Sequence, residues 1–361
     1  MRTTKPFAAA GLLLVLALTG CVHQPSPPRV QHVTFGGELW SASQGQAGVL
    51  FQDWAQATAV PGGSLWTFGD TFIGQPHARQ APRNADITGM IGNTIAFLPA
   101  GETNLPPRLQ YLTNTLGQAT NPLTLWPEES AATQRIWPLG SISVSERCYL
   151  FYSMIEKTAG PGPWNFRGTG AGLAVANQPR ATFTRLRPDG HWRFPVQPAQ
   201  VVRVGDWLYL YEISSAPKGL ILASVPAKQI EQPTAYEFLT GQGWSTNRAQ
   251  VKIILRAAYG QVSVVWNARL RRYLLATSSD AAHPQEIQLR LARQPEGPWS
   301  EPARIAVPGL AGKKTNLIYC AFLHPELSDA AELHYVATFC RVLAGEWDLS
   351  NPEWLTFTLL P

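Results

Sequence analysis

Two aspartates, Asp53 and Asp70, are the side chains in this sequence best placed to do chemistry together. They lie in the segment 48–74, GVLFQDWAQATAVPGGSLWTFGDTFIG, where two runs rich in apolar and β-forming residues flank the turn formers Pro61 to Ser64. This pattern predicts a β-hairpin with its turn near residue 62. The two aspartates are almost equally far from that turn, so folding the hairpin brings them nearly opposite each other.

Two opposed carboxyl groups could form an acid/base pair. Directly opposed residues of a hairpin have Cβ atoms about 5 Å apart, close enough for like charges to raise one pKa. One carboxyl could then protonate a leaving group while the other attacks or activates water. The simpler alternative is that Gly69-Asp70-Thr71 forms a turn in which the Asp70 side chain accepts hydrogen bonds from backbone amides.

The composition indicates a globular protein with a sizeable core, since 45% of the 361 residues are hydrophobic and only 15% are charged. The formal net charge of +5 is small and scattered, without a basic block interleaved with aromatics, so we expect no nucleic-acid partner. The seven His are dispersed, and no Cys/His spacing resembles a zinc site. We therefore expect no metal and no cofactor, and we expect a monomer.

The first 20 residues have the pattern of a secretory signal peptide, with an apolar run from about Phe7 to Leu18 that is too short to span a bilayer. The run ends in Leu18-Thr19-Gly20-Cys21, which resembles a bacterial lipoprotein signal and would make Cys21 the lipidated membrane anchor; a buried Cys is the alternative. By resemblance to Gram-negative lipoproteins, Val22 after the Cys favours the outer membrane. Residues 21–33 are Pro-rich and predict an extended tether.

The remainder, residues 34–361, is predicted to be one all-β domain, because short β-branched and aromatic runs are separated by turn formers and no helical period is sustained. One type of strand centre recurs, after a longer first interval, roughly every 60 residues. Five units of about four short strands predict a five-bladed β-propeller, with a many-stranded β-sandwich as the alternative. The recurring centres are Leu65, Tyr149, Leu208, Tyr273 and Tyr335.

Two of the remaining cysteines, Cys320 and Cys340, lie on β-like runs on either side of a turn at Asp329 to Ala331. Their positions are symmetric about that turn, so they could face each other across a hairpin. Either a disulfide or two small buried thiols would fit this arrangement.

The decapeptide LWTFGDTFIG, residues 65–74, resembles the signature of a bacterial domain family of unknown function, number 4185, also classed as glycoside hydrolase family 183. The resemblance extends from residue 45 to about 330, with Gln52 and Trp54 as departures beside Asp53 and a further departure after Cys340. Matching elements are Asp53, Gly-Asn-Thr-Ile around Asn93, Trp137-Pro138-Leu139-Gly140, Ser263 to Asn267, Asn316 to Ala321 and His324 to Leu327.

This resemblance implies a five-bladed propeller that acts as an endo-D-arabinanase, a glycosidase that cleaves D-arabinofuranosyl linkages inside an arabinan-like polysaccharide. It makes Asp53 and Asp70 the catalytic carboxylates. The side chains expected to line the substrate site are Asn93, Trp137, Tyr319 and His324, together with Trp54, whose ring could stack on a sugar although strand alternation directs it away from Asp53.

Two alternatives stay open at this point. Tyr319 and His324 could be packing and turn residues instead. The whole protein could also be a non-catalytic propeller lipoprotein that binds an envelope polysaccharide or a protein partner, because the end of the chain departs from the family pattern.

Overall fold

The computed structural model of the protein describes residues 24–39, 46–75, 86–160, 165–256, 261–278, 285–308, 317–329, 331, 333–342 and 351–361. These residues form β-strands connected by loops and short 3₁₀ turns. The strands, in chain order, are β1 (Arg29–Glu38), β2 (Val49–Gln52), β3 (Gln56–Val60), β4 (Gly63–Phe68), β5 (Thr71–Gly74), β6 (Ile87–Ile91), β7 (Thr94–Pro99), β8 (Gln110–Tyr111), β9 (Gln134–Val144), β10 (Arg147–Lys157), β11 (Phe166–Ala176), β12 (Thr184–Arg185), β13 (Gln200–Val204), β14 (Trp207–Ser215), β15 (Lys218–Pro226), β16 (Glu237–Thr240), β17 (Gly243–Ser245), β18 (Val262–Asn267), β19 (Arg272–Ser278), β20 (Glu286–Ala292), β21 (Ala303–Ala306), β22 (Leu317–Leu323), β23 (His334–Val342) and β24 (Glu353–Leu360). The 3₁₀ turns are Gln46–Gly48, Pro188–Gly190, Ala227–Gln229, Pro233–Ala235, Arg248–Gln250 and Pro325–Leu327.

Five antiparallel sheets form the blades of a β-propeller, which confirms the fold predicted from the sequence. In order around the ring, the blades are β3-β4-β7-β8, β9-β10-β11-β12, β13-β14-β15-β16-β17, β18-β19-β20-β21 and β22-β23-β24-β1. The first strands β3, β9, β13, β18 and β22 touch one another in sequence and surround the axis. The apolar core lies between neighbouring blades.

The five recurring sequence centres are the second strands of the five blades. Leu65, Tyr149, Leu208, Tyr273 and Tyr335 lie in β4, β10, β14, β19 and β23 and are all buried. A second strand is paired on both edges and covered by a neighbouring blade on each face. An apolar residue at the centre of this strand is therefore buried in every unit, which explains why this position recurs in the sequence.

A sixth, three-stranded sheet, β2-β5-β6, extends the first blade beyond its end. Strand β2 precedes β3 in the chain, and strand β5 follows β4. Asp53 lies between β2 and β3, and Asp70 lies between β4 and β5. The first hairpin thus belongs to two sheets in succession.

The N-terminal strand β1 closes the ring by pairing with β24, from Arg29 opposite Leu360 to Glu38 opposite Glu353. Residues 29–33, which the sequence analysis assigned to the tether, therefore lie in β1. They form a strand because Val30, like Phe35 further along β1, packs on the core of the last blade. Cys21 and the signal segment lie outside the described residues, and the described ranges contain no helix long and apolar enough to cross a membrane.

We expect ring closure to depend on β1. A chain that begins at Gln24 should unfold cooperatively at the same temperature as the longer chain, whereas one that begins at Leu39 should lose at least several degrees or fail to fold, because it exposes the edge of β24 and the apolar residues beneath β1. Differential scanning calorimetry measures both. Equal melting temperatures for the two chains would contradict this role.

Candidate active site

The backbone register of the first hairpin sets Asp53 directly opposite Asp70. On one side of the junction Gln56 pairs with Thr67, and on the other Gln52 pairs with Thr71. The two ladders share one register, which makes Asp53 and Asp70 the opposed pair between them. The Gly69 N–H donates a hydrogen bond to the Asp53 carbonyl at 3.1 Å, which holds the junction together.

The junction bends because Trp54 and Ala55 have left-handed backbone angles, with φ of 80° and 60°. Such angles are costly for residues with a side chain, so the surrounding structure must fix them. Opposite this bend stands Gly69. A Cβ there would lie 2.3 Å from the Asp53 Oδ1, so only glycine leaves room for the carboxylate.

Asp53 is partly buried, and its charge is unfavourable at this position. Burial, followed by the negative charge of Asp70, raises the pKa of Asp53 to about 7. The Tyr319 hydroxyl donates a long hydrogen bond of 3.4 Å to the Asp53 Oδ2. Burial and the Asp53 charge raise the pKa of Tyr319 well above its usual value, so this hydroxyl stays protonated and remains a donor.

Asp70 is also partly buried, with 26% of its side chain exposed. The Trp137 Nε1–H donates to its Oδ1 at 2.9 Å, and the Arg135 guanidinium lies 3.9 Å from its Oδ2. Burial raises the pKa of Asp70, while the Trp137 hydrogen bond and the Arg135 charge lower it. The two carboxyl groups therefore differ in their surroundings, because among the described residues a cation lies beside Asp70 but not beside Asp53.

A pocket of about 200 Å³ opens beside Asp70 on the end of the second blade. Trp137 and Phe166 form an aromatic wall, with ring centroids 4.8 Å apart and planes at 76°. The full lining is Asp70, Ala131, Ala132, Thr133, Arg135, Trp137, Ile155, Lys157, Asn165 and Phe166. The size and the mixed aromatic and polar lining suit a small polar ring such as one sugar unit.

Of the seven residues that sequence analysis assigned to catalysis or substrate binding, the structure brings four together. Asp53 and Asp70 face each other, Trp137 bonds Asp70, and Tyr319 reaches Asp53 from the last blade. The other three lie elsewhere.

Trp54 packs inward, against Phe322 with ring centroids 5.2 Å apart and beside Cys320 and Cys340. Its position follows from strand alternation and from its left-handed backbone, which turn the indole away from the pocket. The expected stacking of Trp54 on a sugar therefore does not fit its packing.

Asn93 and His324 are buried, at 3% and 0% exposure. Contrary to the expectation from the sequence, neither side chain is accessible to a substrate. Asn93 joins the first blade to the second: its Nδ2 donates to the Ile136 carbonyl at 3.1 Å, and its Oδ1 accepts from the Leu123 N–H at 3.0 Å. His324 stacks on Trp66 at 4.3 Å. Both residues position the blades that carry the site.

Sequence analysis missed Arg135, Lys157 and Phe166. Arg135 could have been found, because it stands two residues before Trp137 on the same strand and therefore on the same face. Lys157 and Phe166 pair across β10 and β11, which only the fold reveals.

Cys320 and Cys340 are free, buried thiols, so of the two arrangements left open by the sequence the structure has the thiols. Their symmetric numbering is misleading because β22 bulges between Tyr319 and Phe322. Tyr319, and not Cys320, stands opposite Cys340, while Cys320 takes a left-handed φ of 54°. Within the described ranges, no cluster of three or more His, Cys, Asp or Glu side chains could hold a metal ion.

The fold and the site geometry define a five-bladed propeller with two opposed aspartates at one end of its first hairpin. Comparison with known families then identifies the chain. Residues 48–341 match the model of the domain of unknown function DUF4185, and the chain belongs to this family.

Two solved structures agree with this fold, and one further protein is similar in sequence over part of the chain. A crystal structure of a candidate hydrolase from Bacteroides ovatus ATCC 8483 superposes with a TM-score of 0.61 at 18% identity, covering 88% of this chain and 87% of that chain. The alpha-L-arabinofuranosidase of Podospora anserina, solved with cellotriose, has a TM-score of 0.51 at 12% identity, covering 92% and 98%. Notoamide biosynthesis cluster protein J of Aspergillus sp. (strain MF297-2) is 30% identical over 166 residues, which are 43% of this chain and 42% of that protein.

We expect the buried charge of Asp53 to make stability depend on pH. A carboxyl whose pKa rises on folding holds its proton more tightly in the folded state, so the stability of the wild type should fall between about pH 4 and about pH 7 and then level off. Asp53→Asn has no such charge. The melting temperature of this variant should therefore rise relative to that of the wild type over this window.

Thermal unfolding at several pH values measures the difference between the two proteins. Asp189→Asn, on an exposed turn, controls for the loss of one negative charge. A gap between Asp53→Asn and wild type that stays constant from about pH 4 to about pH 8 would contradict a raised Asp53 pKa.

Proposed function

We propose that the protein is a glycoside hydrolase that cleaves D-arabinofuranosyl linkages within an arabinan, with Asp53 and Asp70 as its carboxylate pair. The observation that carries the proposal is the direct opposition of these two aspartates beside a pocket with an aromatic wall. The sequence resemblance to endo-D-arabinanases supports the substrate. The propeller fold supports hydrolysis of glycosides more generally, since the Podospora structure of the same fold is an arabinofuranosidase.

Asp53 is suited to act as the general acid. A pKa of about 7 keeps a large fraction of its carboxyl groups protonated at neutral pH, and the proton is then available to the leaving glycosidic oxygen. Tyr319 donates a hydrogen bond to the Asp53 Oδ2 and would stabilise the carboxylate that remains after proton transfer. The Tyr319 hydroxyl thus orients Asp53 in both protonation states.

Asp70 is suited to act as the ionised partner. The Trp137 Nε1–H and the nearby Arg135 guanidinium favour its negative charge. It would either attack the anomeric carbon itself or take a proton from the attacking water, the two roles that a second carboxylate plays in glycosidases. The difference between the two environments therefore separates the acid from the nucleophile or base.

The Trp137 and Phe166 rings would hold the sugar next to the scissile bond. The apolar face of a sugar ring packs well against an aromatic face, and Trp137 also bonds Asp70, so one side chain would fix both the substrate and the carboxylate. Correct placement of both reacting groups is worth a large part of a catalytic rate enhancement.

The proposal includes export and a lipid anchor at Cys21 in the outer membrane, on the strength of the signal-like segment before it. This location would give the enzyme access to polysaccharides of the cell envelope or of its surroundings.

We expect Asp70→Asn to lower the release of reducing ends from D-arabinan by at least about 100-fold while arabinan binding persists, because the amide keeps the shape and loses the negative charge. Reducing-sugar assays, with L-arabinan as the comparison polymer, measure hydrolysis, and calorimetric titration measures binding. Hydrolysis that is unchanged in Asp70→Asn would contradict the assignment. Binding by the wild type without any hydrolysis would favour the non-catalytic binder.

We expect Gly69→Ala to lower the same activity by about 10-fold to 100-fold with little loss of stability. The new methyl group would displace the Asp53 carboxylate, which sits at the end of a short side chain and can swing aside, whereas the backbone at Gly69 needs no left-handed angle. Gly89→Ala, where a Cβ meets nothing within 4 Å, is the matched control. Full activity in Gly69→Ala would show that the placement of Asp53 is not critical.

A further inference from the structure

The pocket beside Asp70 carries two cationic side chains on one face of the second blade. Arg135 pairs with Ile155 and Lys157 pairs with Phe166 across neighbouring strands, and opposed residues point to the same side of a sheet. Since Ile155 and Lys157 are two residues apart, all four side chains share that face. Each of them lines the pocket.

The glutamates of this region are occupied elsewhere. Glu129 forms a two-pronged ion pair with Arg185, with contacts of 2.5 and 2.9 Å. Glu156 lies 2.7 Å from Arg167 on the opposite face of the blade, and Glu128 pairs with Arg187. None of these carboxylates lines the pocket.

The pocket therefore has an excess of positive charge. Its lining residues include two cations, Arg135 and Lys157, and one carboxyl group, that of Asp70. The lining therefore has a net positive charge even when Asp70 is ionised. The contact of Arg135 with Asp70 is 3.9 Å, longer than the roughly 2.8 Å of a direct charge-assisted hydrogen bond. Within the described part of the chain, no acidic group pairs with the Lys157 amine at 4.0 Å or less.

We propose that this pocket is a subsite for a sugar unit that bears an anionic substituent, a carboxylate or a phosphate, held by Arg135 and Lys157. The inference rests on the proposed function, because it places the charged sugar next to the linkage that Asp70 would cleave. It deepens that function by naming a feature of the substrate that a neutral arabinan does not have.

The two cations have complementary roles in such a subsite. The planar guanidinium of Arg135 can bind two oxygens of a carboxylate or phosphate while the Lys157 amine adds a flexible point charge. The Trp137 and Phe166 rings would hold the body of the sugar. An anionic substituent near Asp70 would otherwise repel the ionised carboxylate, so both cations are needed for a charged sugar to enter.

The test compares small anionic sugars with their neutral parents by NMR titration. The probes are methyl glucuronide against methyl glucoside, and methyl arabinofuranoside 5-phosphate against methyl arabinofuranoside. We expect at least one anionic probe to bind about 10-fold more tightly than its parent, and this preference to weaken as salt is added. The stronger of the two arms tells whether the substituent is a carboxylate or a phosphate.

Three variants separate this role from a general effect of charge. Lys157→Met should abolish most of the preference, and Lys157→Arg should retain it. Arg167→Met, which removes one positive charge from the same blade outside the pocket lining, should leave the preference unchanged. The inference is overturned if neither anionic probe binds better than its parent, or if Lys157→Met binds them as the wild type does.

The outcome is independent of the hydrolysis assay. Hydrolysis of neutral arabinan without any preference for anionic sugars would leave the hydrolase proposal intact and overturn the charged subsite. Preferential binding of an anionic sugar that Lys157→Met abolishes, by a protein that hydrolyses nothing, would support the subsite and count against the hydrolase.

Discussion

The opposition of two carboxyl groups across one hairpin is the constraint on which the candidate site depends. The same register holds on both sides of the Asp53 and Asp70 step, so the pair cannot slide apart without breaking both ladders. The hairpin is hydrogen-bonded into the first blade, β3-β4-β7-β8, on one side of the pair and into the sheet β2-β5-β6 on the other. Their pairing supplies the free energy that keeps two carboxyl groups at a separation they would avoid in solution.

The rest of the site is assembled by contacts between blades. Asn93 fastens the first blade to the backbone at Ile136, and the next residue, Trp137, then meets Asp70. From the other side, His324 stacks on Trp66 and ties the last blade, which carries Tyr319, to the first. Two buried polar residues thus set the position of the two side chains that modulate the carboxyl groups.

The fold and the opposition of Asp53 and Asp70 could be predicted because both follow from local patterns in the sequence. The blade count follows from the apolar second strands, and the pairing of Asp53 with Asp70 follows from symmetry about one turn. Local patterns could not separate Asn93 and His324 from substrate ligands, because Asn93 bonds Ile136 and His324 stacks on Trp66, and both contacts cross to another blade. A single extra residue in β22 was enough to move Cys320 out of the predicted pairing with Cys340.

The way the ring closes also orients the molecule. In the last blade, Tyr319 lies at the end that meets Asp53, whereas the ladder of β1 and β24 runs from Glu38 near that end to Arg29 at the other. The Gln24 side chain, which donates to the Trp299 carbonyl, continues along that far side. The chain before Arg29 thus leaves from the face remote from the aspartates. If that leader tethers the propeller to a surface, the pocket points outward, towards polymers that approach from the open side.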